Sequence, residues 1–278
     1  MIPRRHQVLT TALLSVVACY FLLPVWWLIV SAGKSSSDLF ATNGLLPADD
    51  FALADNVRAV FTWDHGIFAD WMVHSLLYAV LGAAAATLLS GGAGYVLAKY
   101  AFRGREVVFS VIIAAVLVPV PLLTLPLYLV FAELHLTDTV WSVLIPSAVS
   151  PFGVYLARIY AADSVPNEIL EAARVDGAGE LRIFFQIVTR LMSPGLVTVF
   201  LFQFVAIWNN FFLPLVMLSD HHKWPAILGL LYWNSQPLQL YYNITITGAL
   251  ISVLPLVLAF LTLQRYWRSG LSAGSGKL

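Results

Sequence analysis

Charged residues are scarce in this chain. Asp, Glu, Lys and Arg together make up 11% of its 278 residues, whereas soluble domains carry about 25%. Hydrophobic residues account for 60% of the sequence, and the mean hydropathy is +0.82. Because so few residues are available to form a hydrated surface, the composition predicts an integral membrane protein.

Several kinds of chemistry are missing as well. The one cysteine, Cys19, cannot form an internal disulfide and gives no zinc-ligand pattern. The sequence has no G-x-x-x-x-G-K-[ST] loop, so the chain is not expected to hydrolyse a nucleotide itself. We therefore expect no catalytic residue, no metal site and no cofactor in this chain, and energy for any active transport would have to come from another subunit.

Six segments are long and apolar enough to cross a bilayer without an Asp, Glu, Lys or Arg. A spanning helix needs about 20 such residues, and each charge at its centre costs roughly 2.5–3.5 kcal/mol. The predicted spans are residues 8–32, 71–98, 107–131, 140–157, 191–218 and 243–264. The predicted fold class is all-α, a polytopic membrane protein that forms a single transmembrane domain over residues 1–278.

Two apolar segments leave an alternative. Arg4 and Arg5, followed by an apolar run that includes VVAC (16–19), resemble a secretory signal. The uncharged run continues to Gly33, however, whereas the apolar part of a signal has roughly 7–15 residues, and this favours a first spanning helix. WPAILGLLYW (224–233) is too short to span and is predicted to be a loop that packs on protein or dips into the membrane.

The positive charges predict the orientation. Of the 15 Lys and Arg residues, all but Lys34, Arg58 and Lys223 fall on the side that holds both termini and the 2–3 and 4–5 loops. Since basic residues accumulate on the cytoplasmic side of membrane proteins, the N-terminus, the C-terminus and the 4–5 loop are predicted to be cytoplasmic.

The predicted spans contain no carboxylate, lysine or arginine, and only His74 lies near an outer end. A secondary transporter driven by protons or ions usually needs ionisable groups within the membrane, and an intramembrane enzyme needs a nucleophile with a base or a metal cluster. The spans therefore argue against both classes, and a stand-alone secondary transporter is kept only as the less favoured alternative.

Small residues form a stripe on the second span. Gly82, Ala86, Ser90 and Gly94 recur at every fourth position, which places them on one face of a helix. Such stripes let two helix backbones approach closely in lipid. We interpret this stripe as a packing surface rather than a site.

The third span contains three prolines near its middle, Pro119, Pro121 and Pro126. Proline removes a backbone donor and clashes with the preceding turn, so this helix is predicted to be bent or broken. Broken helices at that depth often line a transport pathway, and a plain packing kink is the competing interpretation.

The longest cytoplasmic loop, residues 163–190, has the pattern helix, glycine, helix. Ser164 and Pro166 are helix-start signals before NEILEAARVD, and Gly177 supplies a residue that can end that helix. The following ELRIFFQIVTRL is amphipathic at the helical period and suits the membrane interface, with an apolar face of Leu181, Phe184, Phe185 and Val188. The acidic residues of the first helix suit docking into a basic cleft of a partner, although an ordinary solvated loop has the same composition.

EAARVDGAGELRIFFQI (171–187) resembles the EAA loop of the permease subunits of ABC importers. The residues at that family's spacing are Glu171, Ala172, Ala173, Gly177 and Ile187. Thr189 and Arg190 stand where the family has Leu-Pro, so the second loop helix is predicted to run about one turn longer, with Pro194 as the first breaker. LLPVWWLIVSAGKS (22–35), WNNFFLPL (208–215) and the tail (264–278) resemble the smaller permease subunit of maltose-type carbohydrate importers.

This resemblance implies a permease subunit of a binding-protein-dependent importer in a bacterial inner membrane, with a sugar or oligosaccharide as substrate. It implies a coupling helix that docks into an ATP-binding subunit, where ATP and Mg²⁺ would be bound. The coupling residues would be Glu168, Glu171, Ala172, Ala173, Asp176 and Gly177, with Glu171 as the main polar anchor. It also implies a second permease subunit and an extracytoplasmic binding protein or lipoprotein, and no nucleic-acid partner.

Two further groups of residues are candidates. For the pathway they are Pro119, Pro121, Pro126, Asn209 and Asn210. For contact with a binding protein they are Tyr232, Trp233, Asn234 and Gln236, within the outer segment YWNSQPLQLYY (232–242). Aromatic rings and amides suit sugar rings and hydroxyls, but they also form interfacial belts. Importers of glycerol phosphate or another polar solute remain an alternative, and the lack of cations in the spans favours a neutral sugar.

Overall fold

The computed structural model describes residues 4–236 and 242–274, and within those ranges every regular element is helical. The α-helices are α1 Arg4–Ala32, α2 Asp38–Ala41, α3 Leu53–Thr62, α4 Ile67–Lys99, α5 Arg105–Val116, α6 Val120–Glu133, α7 Val140–Ser147, α8 Pro151–Ser164, α9 Asn167–Val175, α10 Glu180–Ile183, α11 Thr189–Leu191, α12 Ser193–Trp208, α13 Phe212–Met217, α14 Ala226–Asn234 and α15 Tyr242–Gly274. A π-helical segment, Phe184–Val188, joins α10 to α11, and we call residues 180–191 the return helix. The all-helical prediction is confirmed for the described residues.

Four stretches of the described chain are helical, long and apolar enough to cross a membrane. They are Gln7–Ala32, Leu53–Lys99, Val140–Ser164 and Tyr242–Gln264. Two bent pairs also qualify: α5 with α6, which meet at 102°, and the return helix with α12, which meet at 83°. The described chain therefore has four to six candidate spans, and it reaches the predicted six when each bent pair counts as one.

The predicted break in the third span lies between α5 and α6. Pro119 has an extended backbone, with φ −61° and ψ 121°, and directly precedes α6. Pro121 lies in the first turn of α6, where a missing N–H leaves no helical hydrogen bond unmade, and Pro126 lies inside that helix. The proline run thus separates two helices rather than kinking one.

The fourth span is longer than predicted, because α8 continues to Ser164 rather than ending near residue 157. The prediction stopped at Arg158 because a charge is costly in lipid. The Arg158 guanidinium, however, lies 3.6 Å from the centre of the Phe109 ring and bonds Glu106 at 3.0 Å. These contacts compensate the charge and let the helix continue.

The prediction of a loop for residues 224–233 is wrong, because most of this segment is helical. Most of it forms α14, whose first backbone N–H, that of Ala226, is 2.7 Å from the Ser75 hydroxyl that accepts its hydrogen. Trp224 and Leu228 are buried. A short helix satisfies its own backbone, so this apolar segment can pack on protein without an unsatisfied loop backbone.

The chain divides into two compact units, and the first comprises residues up to Ala69 together with Gly229–Leu254. Its polar centre is Asn56 on α3, which is buried. The Asn56 side-chain amide donates to the carbonyl oxygens of Ala32 and Lys34, each at 2.8 Å, and accepts from the Asn243 amide at 2.9 Å. One side chain thus connects α1, the segment after it and α15.

Replacing Asn56 with alanine is expected to loosen this unit locally. The substitution leaves buried carbonyl groups with fewer donors, at about 1–3 kcal/mol for each group left unsatisfied. Hydrogen exchange should therefore become faster at the amides of residues 30–36 and of α3. Asp55→Ala, an exposed neighbour on the same helix, is the matched control, and equal exchange in the two variants would contradict the role of Asn56.

The second unit comprises Asp70–Leu228 and the chain from Pro255 onward. The small-residue stripe on α4 is buried here, as the packing interpretation predicts. At Gly94 an added Cβ would lie 2.6 Å from the Ala157 Cβ and 2.6 Å from the Arg158 backbone nitrogen. The two helices α4 and α8 therefore meet backbone to backbone at Gly94.

Candidate functional site

The helix–glycine–helix prediction for residues 163–190 is confirmed as local structure. Gly177 follows α9 with φ +78°, its N–H donates to the Arg174 carbonyl at 3.0 Å, and the N–H of Ala178 donates to the Ala173 carbonyl at 2.9 Å. This pair of bonds is a Schellman ending, which favours glycine for its left-handed backbone. At the other end, Pro166 precedes α9 as predicted, whereas Ser164 is the last residue of α8 rather than a helix start.

One face of α9 is packed into an apolar cluster. Leu170 is only 2% exposed, and Ala173 packs partly buried against the same cluster. The buried members of this cluster, which we call the seat, are Tyr95, Ala157, Ala161, Val165, Leu170, Ile183, Val188 and Met192. These residues come from α4, α8, α9 and the return helix, with Val165 and Met192 directly beside them, so α9 packs against the adjoining ends of α4 and α8.

The opposite face of α9 is exposed and acidic. Glu168, Glu171 and Asp176 are exposed, and in the described part of the chain their side chains take part in no ion pair. Ala172 lies among them, and Val175 is 87% exposed. A row of carboxylates around small and apolar side chains suits close approach of a partner that carries basic groups.

A polar group joins α9 to the return helix and to the end of α4. The Arg174 Nε lies 2.8 Å from the Glu180 Oε1, and Tyr100 donates its hydroxyl proton to the other oxygen of that carboxylate. The Arg174 guanidinium lies 3.3 Å from the Tyr100 oxygen. The Arg174 guanidinium and the Tyr100 hydroxyl lower the pKa of Glu180, and Glu180 in turn raises the pKa of Arg174.

Sequence reasoning missed this group. Arg174 was only one basic charge among many, and Tyr100 lies outside the loop. The available signal was an arginine and a glutamate placed on either side of a predicted glycine turn, which brings them together when the turn closes.

The return helix continues through Thr189 and Leu191, as the replacement of Leu-Pro predicts, and the chain breaks at Met192. Pro194 lies in the first turn of α12 and is therefore not the breaker. Of the predicted apolar face, which is expected to lie toward the membrane interface, Val188 is buried while Leu181 and Phe185 are 77% and 55% exposed, and Ile183 is fully buried. The π-helical segment adds a residue to one turn and rotates the face, which periodicity at 3.6 residues cannot anticipate.

The pathway candidates lie in and beside two helix breaks, one between α5 and α6 and the other between α12 and α13. Asn209 and Asn210 follow α12, where the predicted fifth span was continuous and the structure is interrupted before α13. The Asn209 amide donates to the Val205 carbonyl at 2.8 Å, and the Asn210 side-chain oxygen accepts from the Leu213 N–H at 3.3 Å. Helix α13 packs against α6. The contact between α13 and α6 brings the two groups of pathway candidates near each other. Asn209 and Asn210 directly precede α13, and the three prolines lie in α6 or directly before it.

The four candidates for contact with a binding protein differ in their exposure. Tyr232 and Asn234 are exposed and Gln236 is half-buried, whereas Trp233 is 3% exposed and stacks on Phe68 with ring centres 6.0 Å apart. Adjacent residues of a helix point in different directions, so Trp233 can be buried while its neighbours Tyr232 and Asn234 are exposed. Trp233 therefore packs inside the protein and is not proposed as a contact to a binding protein. Residues 237–241 of the predicted outer segment lie outside the described residues.

Comparison with known proteins gives one family and several full-length relatives. A family model described as "Binding-protein-dependent transport system inner membrane component" matches residues 90–272. The arabinooligosaccharides transport system permease protein AraQ of Bacillus subtilis (strain 168) is 31% identical over 273 residues, which cover 98% of this chain and 96% of the relative. The melibiose/raffinose/stachyose import permease protein MelC of the same organism is 28% identical over 276 residues, which cover 96% and 95%.

A solved structure has the same fold. It is the crystal structure of a bacterial ABC transporter involved in the import of the acidic polysaccharide alginate, and one of its chains matches with a TM-score of 0.79 at 24% identity. The match covers 95% of this chain and 97% of that chain. The two chains therefore share nearly the whole of one fold.

Proposed function

The chain belongs to the family of binding-protein-dependent transport system inner membrane components, and from this premise we propose that it is a permease subunit of an ATP-driven importer of a sugar or oligosaccharide. The observation that carries the proposal is α9, a helix whose apolar face is held in the seat while its acidic face is exposed. In this role the chain forms half of a translocation pathway and hydrolyses no ATP itself.

The proposed architecture has six spans with both termini in the cytoplasm. The bent pairs α5 with α6 and the return helix with α12 each count as one span, and α9 lies between the fourth and fifth. The excess of Lys and Arg on the side of the termini supports this orientation, since only Lys34, Arg58 and Lys223 fall on the other side.

In the proposed coupling mechanism, α9 is the coupling helix and docks into a cleft of a separate ATP-binding subunit, which holds ATP and Mg²⁺. Glu171 is the main polar anchor, with Glu168 and Asp176 beside it, and Ala172 permits close approach. Ala173 faces the seat, and Gly177 sets the turn. When ATP binding closes the partner, the movement of α9 passes through Leu170 to the packed ends of α4 and α8.

The proposed substrate is a neutral sugar delivered by an extracytoplasmic binding protein. The spans carry no lysine or arginine near their middle, whereas glycerol phosphate would favour a cation in the pathway. Relatives named for arabino-oligosaccharides and for melibiose, raffinose and stachyose support the sugar class. Asn209 and Asn210 are the proposed pathway amides, and Tyr232, Asn234 and Gln236 the proposed contacts to the binding protein.

The experiment is purification of the tagged chain from its own cells, followed by identification of the proteins that accompany it. We expect an ATP-binding subunit, a second permease and a binding protein, and we expect ATP-dependent uptake of raffinose or arabinotriose in a strain that carries the chain but not in a deletion strain. Glycerol 3-phosphate is the control solute. Uptake by the purified chain alone, driven by an ion gradient, would instead identify a secondary transporter.

A further inference from the structure

Two kinds of contact hold α9 in place, and they differ in what they can fix. The seat around Leu170 is apolar, and burial of apolar surface stabilises without favouring one direction. An apolar seat resists separation but permits the helix to tilt or slide. The orientation of α9 must therefore depend on contacts that are directional.

The turn after α9 has two directional backbone bonds, which end the helix, but its side chains supply little direction for the angle between α9 and the return helix. Gly177 and Gly179 flank Ala178, and an added Cβ at either glycine would have no atom within 4 Å. Ala178 between them packs partly buried against the seat, but its small side chain restrains the turn little, and the flanking glycines leave the backbone free to adopt many conformations. The angle between α9 and the return helix is instead restrained by the Arg174–Glu180 ion pair, which closes across this turn.

Tyr100 extends the same polar group to α4. Its backbone N–H donates to the Val96 carbonyl at 3.0 Å, so Tyr100 continues the last turn of that helix. Its hydroxyl donates to Glu180 and accepts from Arg174, and the Arg174 guanidinium lies 5.6 Å from the centre of its ring. Charge-assisted hydrogen bonds are stronger and more directional than neutral ones.

We propose that Arg174, Glu180 and Tyr100 form a brace that fixes the orientation of α9 against the cytoplasmic end of α4, so that α4 follows each movement of the coupling helix. The proposal deepens the proposed function and rests on it, because the movement originates in the ATP-binding subunit. The three residues are positioning residues; none of them is required to touch the substrate or ATP.

The magnitude of the ion pair supports a role in orientation rather than in stability. The Arg174 and Glu180 side chains are 40% and 52% exposed. Pairs as exposed as this contribute about 0–1 kcal/mol to folding. Substitutions in the brace should therefore leave a folded chain in the membrane, which makes its role testable without loss of the protein.

The test measures the distance between α9 and α4 by pulsed electron paramagnetic resonance. Because Cys19 is the only cysteine, a Cys19→Ser background accepts one spin label at Ile169→Cys on α9, outside the proposed docking face, and another at Val96→Cys on α4, both exposed positions. In the complex purified through this chain and held in lipid nanodiscs, we expect one narrow distance peak whose centre is the same with and without ATP. Tyr100→Phe and Arg174→Gln are each expected to abolish the narrow peak.

Controls separate the brace from a general effect of charge. Arg182→Gln removes an arginine whose Nε bonds Gln186 on the same helix, and it should leave the peak narrow. The exchanged pair Arg174→Glu with Glu180→Arg should restore the peak that Arg174→Gln loses. A peak that stays narrow in both Tyr100→Phe and Arg174→Gln would overturn the brace, as would a failure of the exchanged pair.

The outcome for the brace is distinguishable from the outcome for the proposed function. If the brace variants keep the narrow peak while an ATP-binding subunit accompanies the chain, the brace fails and the proposed function stands. If no ATP-binding subunit accompanies the unmodified chain, the proposed function fails. The distance peaks of the chain alone then still decide whether Arg174, Glu180 and Tyr100 hold α9.

Discussion

Uptake is expected to fall by at least about 30-fold in a Glu171→Lys variant, while the chain should remain in the membrane at its normal amount. Removing one partner of a paired interfacial charge costs about 2–5 kcal/mol. Each 1.4 kcal/mol corresponds to about tenfold in affinity, so the lower limit corresponds to about 30-fold. Glu171 is exposed on α9 and makes none of the contacts that form the seat, so its substitution should leave the fold intact.

Two measurements check this result. Uptake of labelled raffinose or arabinotriose in cells reports transport, and the amount of ATP-binding subunit that accompanies the tagged chain reports docking; both should fall together. Asp163→Lys is the matched control, because Asp163 is an exposed carboxylate in the last turn of α8 and undergoes the same reversal of charge. Normal uptake in Glu171→Lys, or an equal loss in Asp163→Lys, would contradict the coupling role.

The loop of residues 163–190 was predictable because its signals are local. Pro166 before the helix and Gly177 after it act within a few residues, and the structure places α9 between them. The seat is less visible in sequence, since it joins residues from four elements that are distant along the chain. The brace is least visible, because the contact of Tyr100 with Glu180 spans 80 positions and depends on how the helices pack.

Predictions from hydropathy erred where a polar group finds a partner or a helix departs from ideal geometry. Arg158 was taken to end the fourth span, but Phe109 and Glu106 satisfy its charge. The π-helical segment rotates the return helix so that Ile183 and Val188 are buried together, which a period of 3.6 residues does not predict. Trp233 was placed among the contact candidates although it is buried, because aromatic residues suit both an interface and a packed interior.

The small-residue stripe, by contrast, was correctly predicted from its spacing alone to be a packing surface. A substitution in this stripe is expected to have the largest effect on stability. Gly94→Ala adds a Cβ that would lie 2.6 Å from the Ala157 Cβ and 2.6 Å from the Arg158 backbone nitrogen. Backbone atoms cannot move aside as the end of a flexible side chain can, so α4 and α8 must separate. Overpacking of this kind costs about 1–3 kcal/mol, a large fraction of the roughly 5–15 kcal/mol by which folded proteins are stable.

The melting temperature of the purified protein should therefore fall clearly in Gly94→Ala. Gly92→Ala is the matched control on the same helix, because its Cβ would meet only the Phe184 ring at 3.8 Å, an ordinary contact. Alanine is favoured over glycine in a helix interior by roughly 0.5–1 kcal/mol, so Gly92→Ala should be neutral or stabilising. Similar melting temperatures for the two variants would show that α4 and α8 are not in backbone contact at Gly94. Because Ala157 also belongs to the seat, separation of these helices should weaken the hold on α9 as well.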